Sequence, residues 1–359
     1  MRRAVHIVGS GLLCARGDAP GTVADALWAG ECSHDQRQVG ERSFPYYRLP
    51  LLETDWLARA EAAVRQVAGQ LGELPPDTPL FVASSSFQIG HFEQAGADRE
   101  LPAATASFSR HLAAWMGLSG ARHSLSNACI SGFSAIDAAR SLIAAGQIEE
   151  AVILGIELDN ASTLAGFAGM ELLSRTRCRP FDAERDGLAL GEAVAAIHLS
   201  ARPGRWRIAG LHTGIDAWST TGPNPDGTPI AQTMQACLAE AGLSPGDIEL
   251  IKLQAAGSPG TDLAEANALR TAFGQRMPPL LSLKPMLGHT LGASGIAELT
   301  ALIACLDADH IPATAGFSRV DPEIALFPMV ERSTVHVERA LLNLIGFGGG
   351  LASLALVRQ

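Results

Sequence analysis

Aromatic side chains are scarce in this sequence, which limits the kinds of core that it can form. Phe, Trp and Tyr make up 5% of the 359 residues, although 47% of the residues are hydrophobic. Charged residues are also few, at 18%, and both signs are dispersed along the chain. This composition is globular and excludes a disordered or collagen-like chain. Many small aliphatic side chains must fill the core, which favours helices packed closely on sheets over an aromatic-rich sandwich or barrel.

The sequence also lacks a basic cluster and a long apolar run. Its 27 Lys and Arg residues against 37 Asp and Glu residues give a formal net charge of −10, so we expect no nucleic-acid partner. The longest apolar runs, such as 151–156 and 351–357, are far shorter than the roughly 20 residues that cross a bilayer as a helix. We therefore expect a cytoplasmic protein with no membrane span.

Paired cysteines are absent as well. The six cysteines are scattered, and no two of them form a Cys-x-x-Cys pair. This spacing suggests neither a zinc site nor a disulfide framework, and we expect no metal. Most of the thiols are expected to be buried, which leaves room for one of them to be chemically active.

Apolar runs of strand length alternate with helix-like segments, and this alternation predicts an α/β fold. Several of the runs are unbroken, which is typical of strands that helices cover on both faces of a sheet. The predicted strands are 5–8, 80–83, 151–156, 193–199, 248–253, 280–283 and 351–357, and the predicted helices include 57–71, 134–145, 230–241 and 294–306.

Two helix starts rich in small residues lie about half a chain apart. One carries Cys129 within 127–132, and the other carries His289 within 287–295. They suggest a duplicated fold, although Ala- and Gly-rich helix starts are also common in unrelated α/β proteins. The best boundary between the halves is at 201–204, which predicts an N-terminal half at 1–203 and a C-terminal half at 204–359. No long polar linker separates them, so we expect the halves to pack as one unit.

Three side chains in these segments suggest chemistry. Cys129 precedes a predicted helix, where the positive end of the helix dipole lowers the pKa of a thiol and favours a nucleophile. His289 follows a strand and Lys284, and a neutral imidazole there can stabilise an oxyanion or move a proton for the thiol. Each residue has a plain structural alternative, since most free cysteines and isolated histidines are buried for packing.

Two glycine-rich segments do not fit nucleotide binding. The glycines at 346–350 lack the Lys-Ser/Thr of a P-loop and precede a strand where a P-loop requires a helix. The Gly9-Ser10-Gly11 segment follows a strand but has Cys14 where a dinucleotide fingerprint requires its third glycine. We therefore expect no nucleotide site at either segment.

Ordered motifs along the chain resemble those of the β-ketoacyl-acyl-carrier-protein synthases. The opening segment at 8–30 is similar to the first strand, loop and helix of that family, so the resemblance spans essentially the whole chain, although the chain is shorter than typical members. The matching motifs are Ser-Asn-Ala-Cys-Ile-Ser-Gly at 126–132, Arg-Pro-Phe-Asp at 179–182 with Arg-Asp-Gly at 185–187 and Gly-Glu at 191–192, the segment 284–292, and the segment 343–353.

The resemblance implies a thiolase-like fold, with two similar halves stacked as five layers, α-β-α-β-α. It also implies a dimer that associates through the sheet edge of the first half, either as a homodimer or as a heterodimer with a related ketosynthase subunit. The implied substrate is an acyl group carried on the phosphopantetheine of an acyl carrier protein. No further cofactor is implied.

The resemblance assigns roles to individual residues. Cys129 would accept the acyl group as a thioester, with the backbone N–H groups of Cys129 and Phe347 as its oxyanion hole. His289 matches the second catalytic histidine, Lys284 the active-site lysine, and Glu298 the acidic residue of that network. Phe347 would also act as a gate, and the glycines beside it, including Gly348, would let the backbone approach the substrate closely.

The sequence departs from the family where elongating members place another histidine. Ala256 stands at that position, and no histidine occurs between His212 and His289. The loop that we expect to follow, at 257–262, is a couple of residues shorter than usual, and only Ser258 clearly replaces one of two threonines that would hold pantetheine. Ile130 fills a position that is usually small and polar, which we expect to narrow the site beside the sulfur.

Two functions remain open on this basis. The first is an acyl-thioester transferase of fatty acid or polyketide biosynthesis, loaded on Cys129 from an acyl carrier protein, with Claisen condensation impaired by Ala256. The second is a non-catalytic subunit resembling a chain length factor, paired with an active ketosynthase. Cys129 and His289 favour the first function, and the missing histidine and the altered segment after it favour the second.

Overall fold

Two consecutive sets of strands and helices make up the computed structural model, which describes residues 3–95 and 102–359. The first set comprises β1 (His6–Cys14), α1 (Pro20–Ala29), β2 (Asp35–Val39), β3 (Arg42–Tyr47), α2 (Trp56–Ala68), β4 (Leu80–Ala83), α3 (Ile89–Ala95), α4 (Pro102–Trp115), β5 (Arg122–Leu125), α5 (Ser131–Ala144), β6 (Glu150–Glu157), α6 (Ala161–Gly169), β7 (Leu190–Gly191) and β8 (Ala193–Ser200). The second comprises β9 (Trp206–Ile215), α7 (Thr228–Ala241), β10 (Leu250–Lys252), α8 (Pro259–Phe273), β11 (Leu280–Leu281), α9 (Lys284–Leu287), α10 (Ser294–Asp307), β12 (His310–Ile311), β13 (Ser333–Thr334), β14 (Arg339–Ile345) and β15 (Gly350–Arg358).

The strand order shows that the two sets repeat one topology. Ten strands form one sheet in the order β11-β10-β14-β15-β9-β1-β8-β6-β4-β5. Counting only the strands of this sheet, we number the five strands of each half 1 to 5 along the chain. Both halves then have the strand order 3-2-4-5-1 from the outer edge of the sheet to its centre. The halves join where β1 pairs antiparallel with β9, at His6 with Arg207 and Ile7 with Trp206. The predicted duplication is confirmed, and α5 and α10, the helices that carry the two small-residue starts, occupy equivalent positions after the third strand.

Side chains on alternate faces of the strands divide the interior into three apolar layers. The central layer contains α5 and α10, with side chains such as Phe133 and Ile296, packed on the inner face of both halves of the sheet. One outer layer packs α2 and α4 on the first half, and the other packs α7 and α8 on the second. Because neighbouring side chains of a strand point to opposite faces, Ile153 of β6 joins the central layer and Leu154 joins an outer one. These layers confirm the predicted α-β-α-β-α architecture.

The apolar runs predicted seven strands of the ten-stranded sheet, and its other three strands were missed. Those three, β5, β9 and β14, contain polar residues that interrupt an apolar run, and the start of α8 was interpreted as a loop. The connection between the halves runs from the end of β8 at Ser200 to the start of β9 at Trp206, and the domain boundary at 203/204 remains a prediction. Among the described residues, no helix is both long and apolar enough to cross a membrane.

Candidate active site

A sharp turn between β5 and α5 presents Cys129. Ala128 has a φ of +44°, in the left-handed region that a residue with a Cβ rarely adopts. The Ser131 hydroxyl stabilises this turn, because it donates to the Ala128 carbonyl at 2.6 Å and accepts the Asn127 N–H at 2.8 Å. Cys129 therefore lies immediately before the first turn of a buried helix, as the sequence predicted.

Two glycines bring the starts of α5 and α10 together. A Cβ at Gly132 would lie 3.1 Å from the Cα of Gly295, and a Cβ at Gly295 would lie 2.9 Å from the Phe133 ring. Neither helix could approach so closely with a larger side chain at these positions. The small residues that drew attention in the sequence thus allow the contact that places Cys129 beside His289.

The Cys129 sulfur lies 3.1 Å from Nε2 of His289. On the other side of the ring, Nδ1 lies 3.0 Å from the Ser294 hydroxyl. When Nδ1–H donates to Ser294, the lone pair of Nε2 faces the thiol and can accept its proton. The pair is thus arranged as a nucleophile with an oriented base.

Burial determines the protonation states of this pair. Desolvation raises the pKa of Cys129 to about 11, although the Lys284 ammonium group and the N–H groups of Phe347 and Cys129 oppose the rise. Desolvation and then Lys284 lower the pKa of His289 to about 3. The sequence predicted a lowered thiol pKa at the helix start, and this prediction is wrong in direction. The exclusion of water from the site raises the pKa by more than the helix dipole lowers it. At neutral pH the site holds a thiol and a neutral imidazole.

The loop between β14 and β15 closes over the sulfur. The backbone N–H groups of Phe347 and Cys129 act on the sulfur and lower the pKa of its thiol, and their role as an oxyanion hole remains a prediction. Gly349 is required there, because a Cβ at this residue would lie 1.8 Å from the carbonyl oxygen of Asp216. The Phe347 ring stacks on Phe167, with 5.4 Å between centroids and 11° between planes. The stacked rings cover the approach to Cys129.

Behind the histidine, one carboxylate binds two lysines in the core. Glu298 of α10 pairs with Lys284 and, at 2.5 Å, with Lys252 of β10, and all three side chains are buried. Lys284 and Glu298 were predicted as members of one catalytic network, but Lys252 was missed. The sequence did indicate that Lys252 needs a buried partner, because it lies inside the predicted apolar strand 248–253. A strand covered on both faces leaves a charged side chain no route to solvent.

The segment after β10 differs from the predicted loop. Ser258 is the N-cap residue of α8, which starts at Pro259, so Asp262 lies in the first turn of a helix. The Asp262 carboxylate accepts the backbone N–H groups of Ala256 and Gly257, each at 3.1 Å. The Ser258-Pro259 pair could have predicted the start of this helix, because proline is favoured at the first position of a helix.

A pocket of about 30 Å³ connects these elements, which is room for little more than a water molecule. Ser258, Ala256 and His289 line it beside Cys129, whereas Ile130 and Gly348 are outside its lining. Ile130 is buried against Gly346 and Gly350 instead. The substrate contacts expected of Ser258, Ile130 and Gly348 remain predictions.

Family models match both halves of the chain. The beta-ketoacyl synthase N-terminal domain matches residues 67–202, and the beta-ketoacyl synthase C-terminal domain matches residues 207–318. The chain is 33% identical over 249 residues to the 3-oxoacyl-[acyl-carrier-protein] synthase 2 of Mycobacterium bovis, covering 65% of this chain and 60% of that protein. The corresponding protein of Vibrio cholerae is 30% identical, covering 69% of this chain and 65% of that protein. The chain thus spans about 60% to 65% of the length of these curated relatives.

Solved structures match over nearly the whole chain. A structure of the ketosynthase ApeO in complex with its chain length factor ApeC from Xenorhabdus doucetiae contains a chain with a TM-score of 0.85 and 24% identity, covering 99% of this chain and 98% of that one. A beta-ketoacyl synthase from Burkholderia phymatum has a TM-score of 0.83 and 25% identity, covering 100% of both chains. These neighbours show that the fold is the thiolase-like fold of the ketosynthases.

Proposed function

Because the chain belongs to the β-ketoacyl synthase family, we propose that it is an acyl-thioester transferase that accepts an acyl group on Cys129 from the phosphopantetheine of an acyl carrier protein. The observation that carries this proposal is the 3.1 Å contact between the Cys129 sulfur and Nε2 of His289. The backbone N–H groups of Phe347 and Cys129, which lower the pKa of the same thiol, support it. The proposed setting is fatty acid or polyketide biosynthesis.

Acyl transfer follows from this arrangement as a balanced exchange of thiols. The Cys129 thiol gives its proton to Nε2 of His289 as the sulfur attacks the thioester carbonyl carbon. The new oxyanion accepts hydrogen bonds from the N–H groups of Cys129 and Phe347. When the intermediate collapses, the bond from carbon to the pantetheine sulfur breaks, and that sulfur takes the proton back from His289. The products are an acyl-Cys129 thioester and a free pantetheine thiol.

Other residues prepare the site for this exchange. Lys284 lowers the pKa of both Cys129 and His289 through its charge, and Glu298 holds the Lys284 ammonium group in place. Phe347 must leave its stack on Phe167 before an acyl chain can enter, since the pocket has a volume of only about 30 Å³. This requirement supports the predicted gating role of Phe347. Ser258, which lines the pocket, is the proposed contact for the pantetheine arm.

Condensation with malonyl thioester is the step that this site supports poorly. Loss of carbon dioxide leaves an enolate, and Ala256 offers no N–H donor where elongating members have an imidazole. Removing one preorganised donor typically costs about 10²–10³ in rate. We therefore propose that loading at Cys129 is retained and that condensation by the isolated chain is slow.

A second candidate is a non-catalytic subunit that resembles a chain length factor and forms a heterodimer with a related ketosynthase. The narrow pocket and Ala256 favour it, because a subunit that only shapes its partner's acyl tunnel has no need of an open site. A ketosynthase and chain length factor complex among the structural neighbours also supports this candidate. The edge strand β5, at one end of the ten-stranded sheet, is the proposed interface for either a homodimer or a heterodimer.

Intact-mass spectrometry after incubation with acyl carrier proteins distinguishes the two candidates. We expect the mass of the protein to increase by one acyl group, and we expect Cys129→Ala to abolish the increase because the attacking sulfur is lost. The measurement uses a Cys32→Ala background, since Cys32 is an exposed thiol that can react nonspecifically. Cys237→Ala, which removes another buried thiol, is the matched control and should load normally.

The absence of an acyl adduct with every carrier protein, with or without a ketosynthase partner, would contradict the transferase proposal and favour the chain-length-factor candidate. Equal loading of the Cys129→Ala variant would mean that the acyl group is attached elsewhere.

A further inference from the structure

The side chain of Gln254 is buried, yet its amide oxygen has no hydrogen-bond partner. The residue is 3% exposed, and Oε1 is unpaired in the part of the chain that the structure describes. A buried acceptor left without a donor typically destabilises a protein. The other unpaired buried side-chain atoms, outside the arginines, belong to His6, Thr78 and Thr300, and of these four residues Gln254 alone lines the pocket that contains Cys129.

Hydrogen bonds hold the backbone from Gln254 to Ala256. Glu265 of α8 accepts the N–H groups of Gln254 and Ala255 at 2.8 and 2.7 Å. The Ser282 hydroxyl donates to the Ala255 carbonyl at 2.7 Å, and the Cys178 thiol donates to the Ala256 carbonyl at 2.8 Å. The unpaired Gln254 oxygen therefore belongs to a segment whose backbone groups are otherwise hydrogen-bonded, which is the support that a binding group needs.

Gln254 and Ala256 lie two residues apart in the segment that follows β10, and both contribute to one pocket. Both line the pocket together with Cys129 and His289, whereas Ala255 between them does not. Because Ala256 has only a methyl group, it leaves space beside the longer Gln254 side chain. The amide of Gln254 thus lines the same pocket as the methyl group that stands in place of the imidazole.

We infer that the Gln254 amide oxygen binds an amide N–H of the phosphopantetheine arm, an inference that rests on the proposed function. An unpaired acceptor requires a ligand that donates a hydrogen bond. The thioester, an unsubstituted acyl chain and the phosphodiester of the carrier-bound arm offer no donor, whereas the first amide N–H is two methylene groups from the sulfur. With the thioester at Cys129, this amide is the donor of the arm that comes nearest the pocket. The polar side chains of Gln254, Ser258 and Thr261 line that pocket.

Gln254 would then add to the pantetheine binding of the shortened segment after Ala256. Ser258 and Thr261 of that segment both line the pocket, but only Ser258 clearly replaces one of the two threonines expected from the family resemblance. The Gln254 side chain reaches the same pocket from the end of β10, before the start of α8. It is a positioning residue, because it orients the arm and takes no part in bond exchange.

The test compares two acyl donors in the wild type and in Gln254→Leu, which keeps the size of the side chain and removes the unpaired oxygen. One donor is acetyl-pantetheine, and the other is S-phenyl thioacetate, which contains no amide. We expect the ratio of their loading rates on Cys129 to fall about fivefold to tenfold in Gln254→Leu, as the loss of one hydrogen bond predicts. Thr300→Val, which removes another unpaired buried oxygen remote from the pocket, should leave the ratio unchanged.

A binding measurement separates failure of this inference from failure of the proposed function. S-methyl pantetheine cannot transfer an acyl group, and its binding is measured by the protection of Cys129 from iodoacetamide. We expect protection to require about fivefold to tenfold more ligand in Gln254→Leu than in the wild type, whether or not Cys129 can be acylated. An unchanged protection constant together with an unchanged donor ratio would overturn the inference, and a thermal melt of each variant confirms that it is folded.

Discussion

Replacing Glu298 with glutamine is expected to lower the free energy of unfolding by about 3–5 kcal/mol, because it leaves two buried ammonium groups without a counter-charge. Glu298 is 1% exposed, and its carboxylate is the shared partner of Lys252 and Lys284, both of which are fully buried. Burial opposes its ionisation, but the two lysines hold the pKa of Glu298 at about 2. Burial itself lowers the pKa of Lys252 to about 8. A glutamine cannot balance either positive charge.

Chemical denaturation of the wild type and of each variant measures this loss of stability, and two control variants show whether it arises from the buried charges. Glu31→Gln removes an exposed carboxylate and should change the free energy of unfolding by no more than about 0.5 kcal/mol. Lys252→Met should cost less than Glu298→Gln, because Glu298 keeps Lys284 as its partner. A loss below about 1 kcal/mol in Glu298→Gln would contradict the description of this cluster as a closed, buried charge network.

Replacing His289 with alanine is expected to slow acyl loading of Cys129 by about 10²–10⁴ at pH 7, the usual contribution of a general base. The reason is the protonation state of the thiol, whose pKa burial raises to about 11. A neutral thiol needs a base within reach, and Nε2 of His289 is 3.1 Å away. The pKa of His289, which burial lowers to about 3, keeps the imidazole neutral and able to accept a proton above that pH.

The pH dependence of the loading rate shows whether His289 acts as the base for the Cys129 thiol. As the pH rises toward 10, more of the Cys129 thiol ionises without help, so the difference between wild type and His289→Ala should narrow. Loading rates from pH 6 to pH 10, measured by intact mass, test this trend. His212→Ala, which removes an exposed histidine, is the matched control and should follow the wild type. If His289→Ala loads as fast as the wild type at pH 7, the imidazole is not the base.

Much of the fold could be predicted because the sheet is covered on both faces. β4 coincides with its predicted apolar run, and β6 extends its run by one residue at each end. The contact of Cys129 with His289 was also predictable, since both follow the third strand of a repeated half. β9 escaped prediction because its second half is exposed or half-exposed, so His212 and Thr213 interrupt the apolar signal.

The parts of the site that could not be predicted depend on contacts between distant segments. Lys252 resembles an ordinary charged residue until Glu298, 46 residues away, is placed against it. The pKa of Cys129 depends on how far its surroundings exclude water, and no local sequence motif predicts that property. Gln254 could have been noticed, because it alternates with Ala256, but only the structure shows that its oxygen has no partner.

The central claim is that this chain loads an acyl group on Cys129 but does not condense it efficiently, and the fate of a preloaded acyl group tests it most directly. Acyl-Cys129 protein is isolated, malonyl-acyl carrier protein is added, and the intact mass is followed together with release of carbon dioxide. The account predicts that the acyl group stays on Cys129 with little decarboxylation of the malonyl group. It also predicts that Ala256→His alone restores little condensation, because the segment after residue 256 is short and α8 already starts at Pro259. Rapid loss of the acyl group with one equivalent of carbon dioxide and a β-ketoacyl product on the carrier protein would contradict it.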